Sequence, residues 1–473
     1  MHLHWFRSDL RIHDNTALDA AASQGPVLAL YIITPKQWQQ HDDAACKVDL
    51  WRHQLIELSA DLKRLNIPLL IRHCDWWQEI PGVLLEICQQ YQVEHVHCNA
   101  EYAVNERLRD TAVQQCLQQQ QIGFSSYLDQ LLFEPGSITT KSGGYFKVFG
   151  QFKRVCQQVL YDQLPQILSA PEPQAKLPIQ SDPVPQQIAG FQPVEPHIVQ
   201  CWPAGEAHGW QRLDDFADEA ISDYAGQRDF PALSGTSQLS PYLSAGIISI
   251  RQCLHAALKA AKGELFGPDE GINTWITQLL WREFYQHILV GFPQVSRHQP
   301  FKPHTAKLAW RQAPDDLQRW QQGQTGFPLI DAAMRQLQQT GWMHNRLRMI
   351  VAMFLSKNLL IDWRLGEQWF MQHLIDGDLA ANNGGWQWSA STGTDSVPYF
   401  RIFNPVTQSQ KIDPDGTFIR QWLPELAYLD NKSIHAPHLS RSVKAGTLDY
   451  PAPMVDLATS RDRAIAAFAA LKN

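Results

Sequence analysis

Over its first 130 residues the chain alternates short apolar runs with amphipathic stretches, and this alternation constrains the fold more than any other feature. LHWF (3–6), VLALYII (27–33), PLLIRH (68–73) and EHVHCN (94–99) read as strands. KVDLWRHQLIELSADLKRL (47–65) and VNERLRDTAVQQCLQQ (104–119) repeat apolar residues at helical spacing. The pattern predicts an α/β domain over 1–130, a Rossmann-like parallel sheet covered by helices. Ligands of such sheets sit beyond the carboxyl ends of the strands. No G-x-G-x-x-G follows the first strand, so the standard dinucleotide fingerprint is absent.

From 131 to 203 the periodicity fades, and nine prolines fall between Pro165 and Pro203, which predicts a long interdomain linker. From 204 to 473 the pattern is helical, with runs such as NTWITQLLWREFYQHILV (273–290), and predicts an all-α domain. Ten of the 17 tryptophans lie at or after Trp275. An indole N–H needs a partner when buried, so tryptophan is expensive as mere filler.

With 44% hydrophobic and 18% charged residues the composition is that of a soluble globular protein. The N-terminus has no signal-peptide pattern and no apolar run is long enough to span a bilayer, so a cytoplasmic protein is expected, away from membranes. Eight cysteines show no metal-site spacing, and none follows Cys253, which excludes a cysteine-bound cluster in the C-terminal half; no metal site is expected. Net charge is −7, yet Ala332 to Ile361 contains no acid while carrying Arg335, Arg346, Arg348 and Lys357. That local basic zone suits contact with a phosphate backbone.

Four segments concentrate chemistry. DGDLAANNGGWQW (376–388) packs acids, amides, glycines and indoles together. Glycines allow close backbone approach to a ligand, and acids and amides supply donors and acceptors. TSQLSPYLSAGIIS (236–249) gathers hydroxyls ahead of a helical stretch, a pattern suited to an anion. WREFYQH (281–287) sets Trp281 and Tyr285 one turn apart, and GWMHNRLRM (341–349) adds further aromatic and basic groups.

Together with HWFRSDLRIHDNTAL (4–18), KVFGQFKR (147–154) and QRDFP (227–231), these segments closely resemble the DNA photolyase/cryptochrome family over nearly the whole chain. The likeness is greatest to bacterial photolyases that repair cyclobutane pyrimidine dimers using FAD. It implies an antenna-binding α/β domain and a helical FAD-binding catalytic domain. It further implies a reaction, light-driven electron transfer from reduced FAD to a flipped-out dimer in UV-damaged DNA, carried out by a monomer.

By this resemblance Tyr224, Thr236, Ser237, Gln238, Leu239 and Ser240 hold the FAD phosphates and adjacent groups. Trp275, Arg282, Arg348, Asp376, Gly377 and Asp378 line the rest of the cofactor, and Asn382 faces flavin N5. Trp386, Trp363 and Trp310 match the family's electron-relaying indoles. Trp281 and Trp388 wall the lesion pocket, Gln278, Asn345, Arg346 and Met349 border the lesion, and Arg228, Arg346 and Arg401 meet the DNA backbone or groove. Extruded bases stack on such aromatic walls.

For the antenna, Tyr102, Asn105, Glu106 and Arg107 repeat a stretch found in folate-binding relatives, and His41 fits the same site. The favoured antenna is 5,10-methenyltetrahydrofolate, with 8-hydroxy-5-deazaflavin second. One departure stands out: Gln278 occupies a position where dimer-repairing relatives usually carry Glu. Gln there is a (6-4) photolyase feature, but that branch has two histidines where this chain has Asn345 and Met349. The competing class is a cryptochrome-type blue-light photoreceptor without repair activity, which Gln278 favours and Asn382 opposes.

Overall fold

The computed structural model describes residues 1–440 and 449–472. Five parallel strands, β1 (His2–Phe6), β2 (Val27–Ile33), β3 (Leu69–His73), β4 (His95–Asn99) and β5 (Gly123–Tyr127), form one sheet in the order β3-β2-β1-β4-β5. β2 is buried along its full length, as expected of a parallel strand covered on both faces. The fifth strand, GFSSY, is a partly exposed edge with no apolar run, so the sequence pattern misses it. Gly123 opens it for a steric reason: a Cβ there would lie 2.1 Å from the His95 ring. The strand order reverses at β1, which creates the switch point where such sheets bind ligands.

The chain packs as two compact units. One comprises 1–222, 237–293 and 375–380, and the other 223–236, 294–374 and 381–473. The first unit therefore holds the sheet together with the Ile250–Ala260 and Glu270–Gly291 helices. A buried ion cluster ties these parts. Arg251 donates to Asp14 (2.9 Å) and Asp129 (2.8 Å), and Arg11 donates to Asp129 (2.6 Å). Burial alone would raise the Asp129 carboxyl, but Arg11 and Arg251 hold it at about 2. Removing one member of such a cluster costs about 3–5 kcal/mol, because the partners stay buried and uncompensated.

The expected linker is not featureless. Phe149–Asp162 is a helix that buries Phe149, Phe152, Cys156 and Leu160, and Pro196–Cys201 is a short second one. The apolar spacing over 149–160 is helical and gives way only at Pro165, where the proline-rich stretch begins.

The second unit is helical. The Pro328–Thr340, Asn345–Met353, Trp363–Met371 and Leu457–Ala469 helices surround a core containing Trp320, Phe354, Trp363, Phe370 and Trp386. The Asn345–Met353 helix runs on into a π-helical turn, Phe354–Asn358. DGDLAANNGGWQW, despite its glycine pair, is largely helical, over Leu379–Ser389. Among the described residues no helix is long and apolar enough to cross a membrane.

Candidate active site

In the first unit the Glu270–Gly291 helix starts on Asp269, whose side chain accepts from Ile272 N, and presents one candidate residue after another. Trp275 is 3% exposed, and its indole N–H donates to Ser237 Oγ (3.4 Å). Gln278 is half-buried and donates to Thr274 O of its own helix at 3.3 Å. Trp281 stacks on Phe149 with ring centroids 3.7 Å apart and planes 13° apart. Arg282 donates to Gln130 O (2.6 Å), and Glu283 accepts from Leu132 N (2.8 Å), so adjacent charged residues clamp the segment after β5. Glu283 is fully buried, and burial pushes its carboxyl up to about 7.

The same unit carries 237–240 and 376–378. Gln238 adopts a left-handed backbone (φ 49°), and its side-chain oxygen accepts from Arg212 at 3.1 Å. Leu239, which caps the Ser240–Ser244 helix, has no side-chain acceptor to offer. Asp376 and Gly377 are buried, and Asp378 accepts from Gln286 (3.1 Å).

In the second unit Asn382 is 9% exposed and donates through Nδ2 to Glu367 O (2.9 Å). The Glu367 side chain accepts from Asn383 Nδ2 (2.9 Å), so one residue fixes both amides. With its nitrogen engaged, the Asn382 amide presents Oδ1 as an acceptor. Trp386 and Trp363 are 2% and 1% exposed, and half-buried Trp310 packs against the same core cluster. Trp386 meets Trp320 (6.0 Å) and Phe370 (5.0 Å) edge to face. Tyr224 is buried, with the Arg228 guanidinium 5.6 Å from its ring centre. Thr236 and Trp388 are half-buried, and Arg401 is exposed. Asn345, Arg346 and Met349 share the first turns of one helix, capped by His344, and Arg348 donates to Met343 O (2.8 Å).

The basic zone expected over 335–357 is not a basic surface. Lys357 is fully buried, Arg335 pairs with Glu425 (2.6 Å), and Arg346 pairs with Asp229. A stretch free of acids in the sequence receives them from elsewhere in the fold.

Of the expected antenna residues, His41 and Asn105 meet, beyond the carboxyl ends of β2 and β4. His41 Nε2 lies 3.0 Å from Asn105 Nδ2 and 2.9 Å from Gln37 Nε2, and its ring meets Trp77 edge-on at 4.7 Å. Burial lowers the His41 imidazole, which therefore stays neutral and can accept from these amides. Burial, then the neighbouring Glu101 carboxylate, raises Glu106 to about 7. Gln37 and Trp77 escape sequence reasoning, as do Phe149 and Glu367. The only signal for Gln37 is its place one turn before His41 on a helix.

Two family models match the chain, "DNA photolyase" over residues 2–173 and "FAD binding domain of DNA photolyase" over 275–470. A deoxyribodipyrimidine photo-lyase of Escherichia coli is 44% identical over 100% of this chain and 99% of its own. One from Vibrio cholerae is 44% identical over 98% of each. The crystal structure of a class III photolyase from Agrobacterium tumefaciens superposes with a TM-score of 0.89 at 35% identity, covering 100% of this chain and 97% of that one. A helical unit rich in buried indoles, an α/β sheet with a polar cluster beyond its carboxyl ends, and similarity along the full length converge: the chain belongs to the DNA photolyase family.

Proposed function

We propose that this protein repairs cyclobutane pyrimidine dimers in DNA, using light and FAD. The observation that carries the reading is the Asn382 amide, tied back to Glu367 and left with an oxygen to offer, in a chain 44% identical along its length to a deoxyribodipyrimidine photo-lyase. When bound, FAD would supply the light-driven one-electron chemistry that opens the cyclobutane ring.

The residues present suit a flavin dinucleotide. Asn382 Oδ1 accepts from a protonated ring nitrogen, and a neutral amide does so without imposing a charge. The hydroxyls and backbone N–H groups of Thr236, Ser237, Gln238, Leu239 and Ser240, with Tyr224, would hold the phosphates and adjacent groups. Trp275, Arg282, Arg348, Asp376, Gly377 and Asp378 supply walls, hydrogen bonds and charge for the remaining groups. Trp310, Trp363 and Trp386 relay electrons inward from the surface.

Trp281 and Trp388 stack on the extruded pyrimidines, a contact worth about 1–3 kcal/mol per base. Gln278, Asn345, Arg346 and Met349 meet the lesion edges. Arg228, Arg346 and Arg401 meet the backbone or groove, so affinity falls as salt rises. The antenna, held by His41, Asn105 and Glu106, is 5,10-methenyltetrahydrofolate rather than 8-hydroxy-5-deazaflavin. Its site offers one neutral imidazole, one amide and one carboxyl with a pKa of about 7, a set that matches the hydrogen-bonding edge of a pterin. The protein acts as a monomer in the cytoplasm.

The test is repair of defined lesions. Purified protein under blue light restores an oligonucleotide carrying one cyclobutane dimer and leaves a (6-4) product untouched. The reverse pattern would overturn the assignment, and repair of neither would favour a photoreceptor. An absorption spectrum of the same sample tests the cofactors, through flavin bands and an added near-ultraviolet antenna band.

A further inference from the structure

Lys357 is a fully buried cation in the π-helical turn Phe354–Asn358. An ammonium group away from water is costly unless well partnered. Its partners here are two carbonyls, Arg401 O at 3.1 Å and Pro398 O at 3.5 Å. Burial, and then repulsion from Lys302 and Arg401, lowers it to about 7. An apolar side chain would sit in this core without that expense, so the amine is best explained by what it holds.

What it holds is a turn. Arg401 N donates to Pro398 O (2.9 Å), and Lys357 grips the carbonyls at both ends of that turn. One helical turn earlier, Met353 Sδ accepts from Phe403 N at 3.2 Å. Lys302 anchors the preceding part of the loop, donating from Nζ to Ser396 Oγ (2.6 Å) and from its backbone to Thr392 O (2.9 Å). The backbone of 392–403 is thus pinned from below at several points, while Phe400 (59% exposed) and Arg401 point to solvent. π-helical turns of this kind often mark functional sites.

We propose that Lys357 is a positioning residue for DNA binding, holding the Pro398–Arg401 turn so that the Arg401 guanidinium meets a phosphate of the damaged strand. The proposal rests on the reading that Arg401 contacts DNA. Lys357 itself touches neither DNA nor cofactor. It removes the freedom the turn would otherwise lose on binding, and preorganisation of this kind appears as affinity.

The experiment is a binding titration of a dimer-containing oligonucleotide across a salt series, with K357M, R401A and the double variant. R401A weakens binding about fivefold and lowers the salt slope by about 0.9, the signature of one lost phosphate contact. K357M does nearly the same, and the double variant is no weaker than R401A, because both changes remove one interaction. K357R restores affinity. Repair yield of K357M and K357R at saturating DNA, and the flavin spectrum of these two variants, stay at wild-type values. Wild-type affinity and slope in K357M, or additive losses in the double variant, overturn the proposal. Wild-type binding by R401A overturns it together with the assignment of Arg401 to DNA, while the repair assay stands apart from both. Should K357M not accumulate as folded protein, K357L, which likewise keeps no donor, is held to the same criteria.

Discussion

The Trp386 indole fills the space that a side chain at Gly366 would need: a Cβ on Gly366 would lie 2.1 Å from Trp386 Cη2 and 2.7 Å from Leu355 Cδ2. The contact joins the Trp363–Met371 helix to the one that carries Asn382 and Trp386. Glycine in mid-helix is unfavourable by about 1 kcal/mol, so its presence here reflects packing. Gly366→Ala is expected to destabilise by about 1–3 kcal/mol through overpacking, despite the better helix propensity. Thermal unfolding checks this, and a stabilised G366A would show that the indole can move aside freely. A displaced Trp386 would also slow light-driven reduction of the flavin.

The Phe149–Trp281 stack makes a second prediction. Aromatic pairs in this geometry contribute about 0.5–1.5 kcal/mol beyond their buried area. Phe149→Leu keeps most of the volume and removes the ring, leaving the Trp281 indole less firmly held. The expected result is a loss of about 1 kcal/mol in stability and a severalfold weaker grip on a dimer-containing oligonucleotide. Unchanged affinity in F149L would mean that Trp281 needs no support, or does not meet the lesion.

Much of this was visible in residue patterns. β2 is seven apolar residues in a row, and no solvated structure accounts for VLALYII. The His41–Asn105 pairing followed from a local stretch and its likeness to relatives, although 64 positions separate the two. Other features depend on partners that no window of sequence contains. Lys357 looks basic until Pro398 and Arg401 are folded over it, and Arg346 looks free until Asp229 arrives from 117 positions away. Phe149 gives no sign of function alone, because its significance is the ring it faces. β5 hides for the opposite reason: an edge strand buried on little of its surface has no apolar alternation to read.

Glu283 links stability to pH. Burial raises its carboxyl to about 7, from an ordinary value near 4.5 in the unfolded chain. The folded state therefore binds the extra proton between those values. The associated stability is fully present below about 4.5 and is lost as pH rises through about 7. A shift of that size corresponds to about 3 kcal/mol for a fully buried group. His287, one turn on, is held down to about 4 by burial and stays neutral over most of this window. Glu283→Gln keeps an oxygen to accept from Leu132 N and cannot ionise, so it should remove this part of the slope. Denaturant midpoints at pH 5 and pH 8 decide the matter: wild type should lose more stability than E283Q over that interval, and parallel curves would rule out ionisation of Glu283 there.

A substitution at Trp386 is expected to separate electron relay from repair. Its indole N–H has no hydrogen-bond partner among the described residues, so replacing it with phenylalanine removes no such bond and orphans no acceptor. The ring stays apolar and packed against Phe370, at a stability loss of about 1–2 kcal/mol for the vacated volume. A phenyl ring is far harder to oxidise than an indole, so the inward step toward the flavin is blocked at this position. Trp386→Phe should therefore lose light-driven reduction of oxidised flavin by at least about tenfold, equivalent to roughly 1.4 kcal/mol in barrier. Once the flavin has been reduced chemically with dithionite, the same variant should repair a dimer at close to the wild-type yield, because the electron delivered to the lesion no longer has to pass through this indole. A variant that reduces its flavin normally in light would place the relay elsewhere, and Trp320, 6.0 Å from Trp386, would be the next indole to replace.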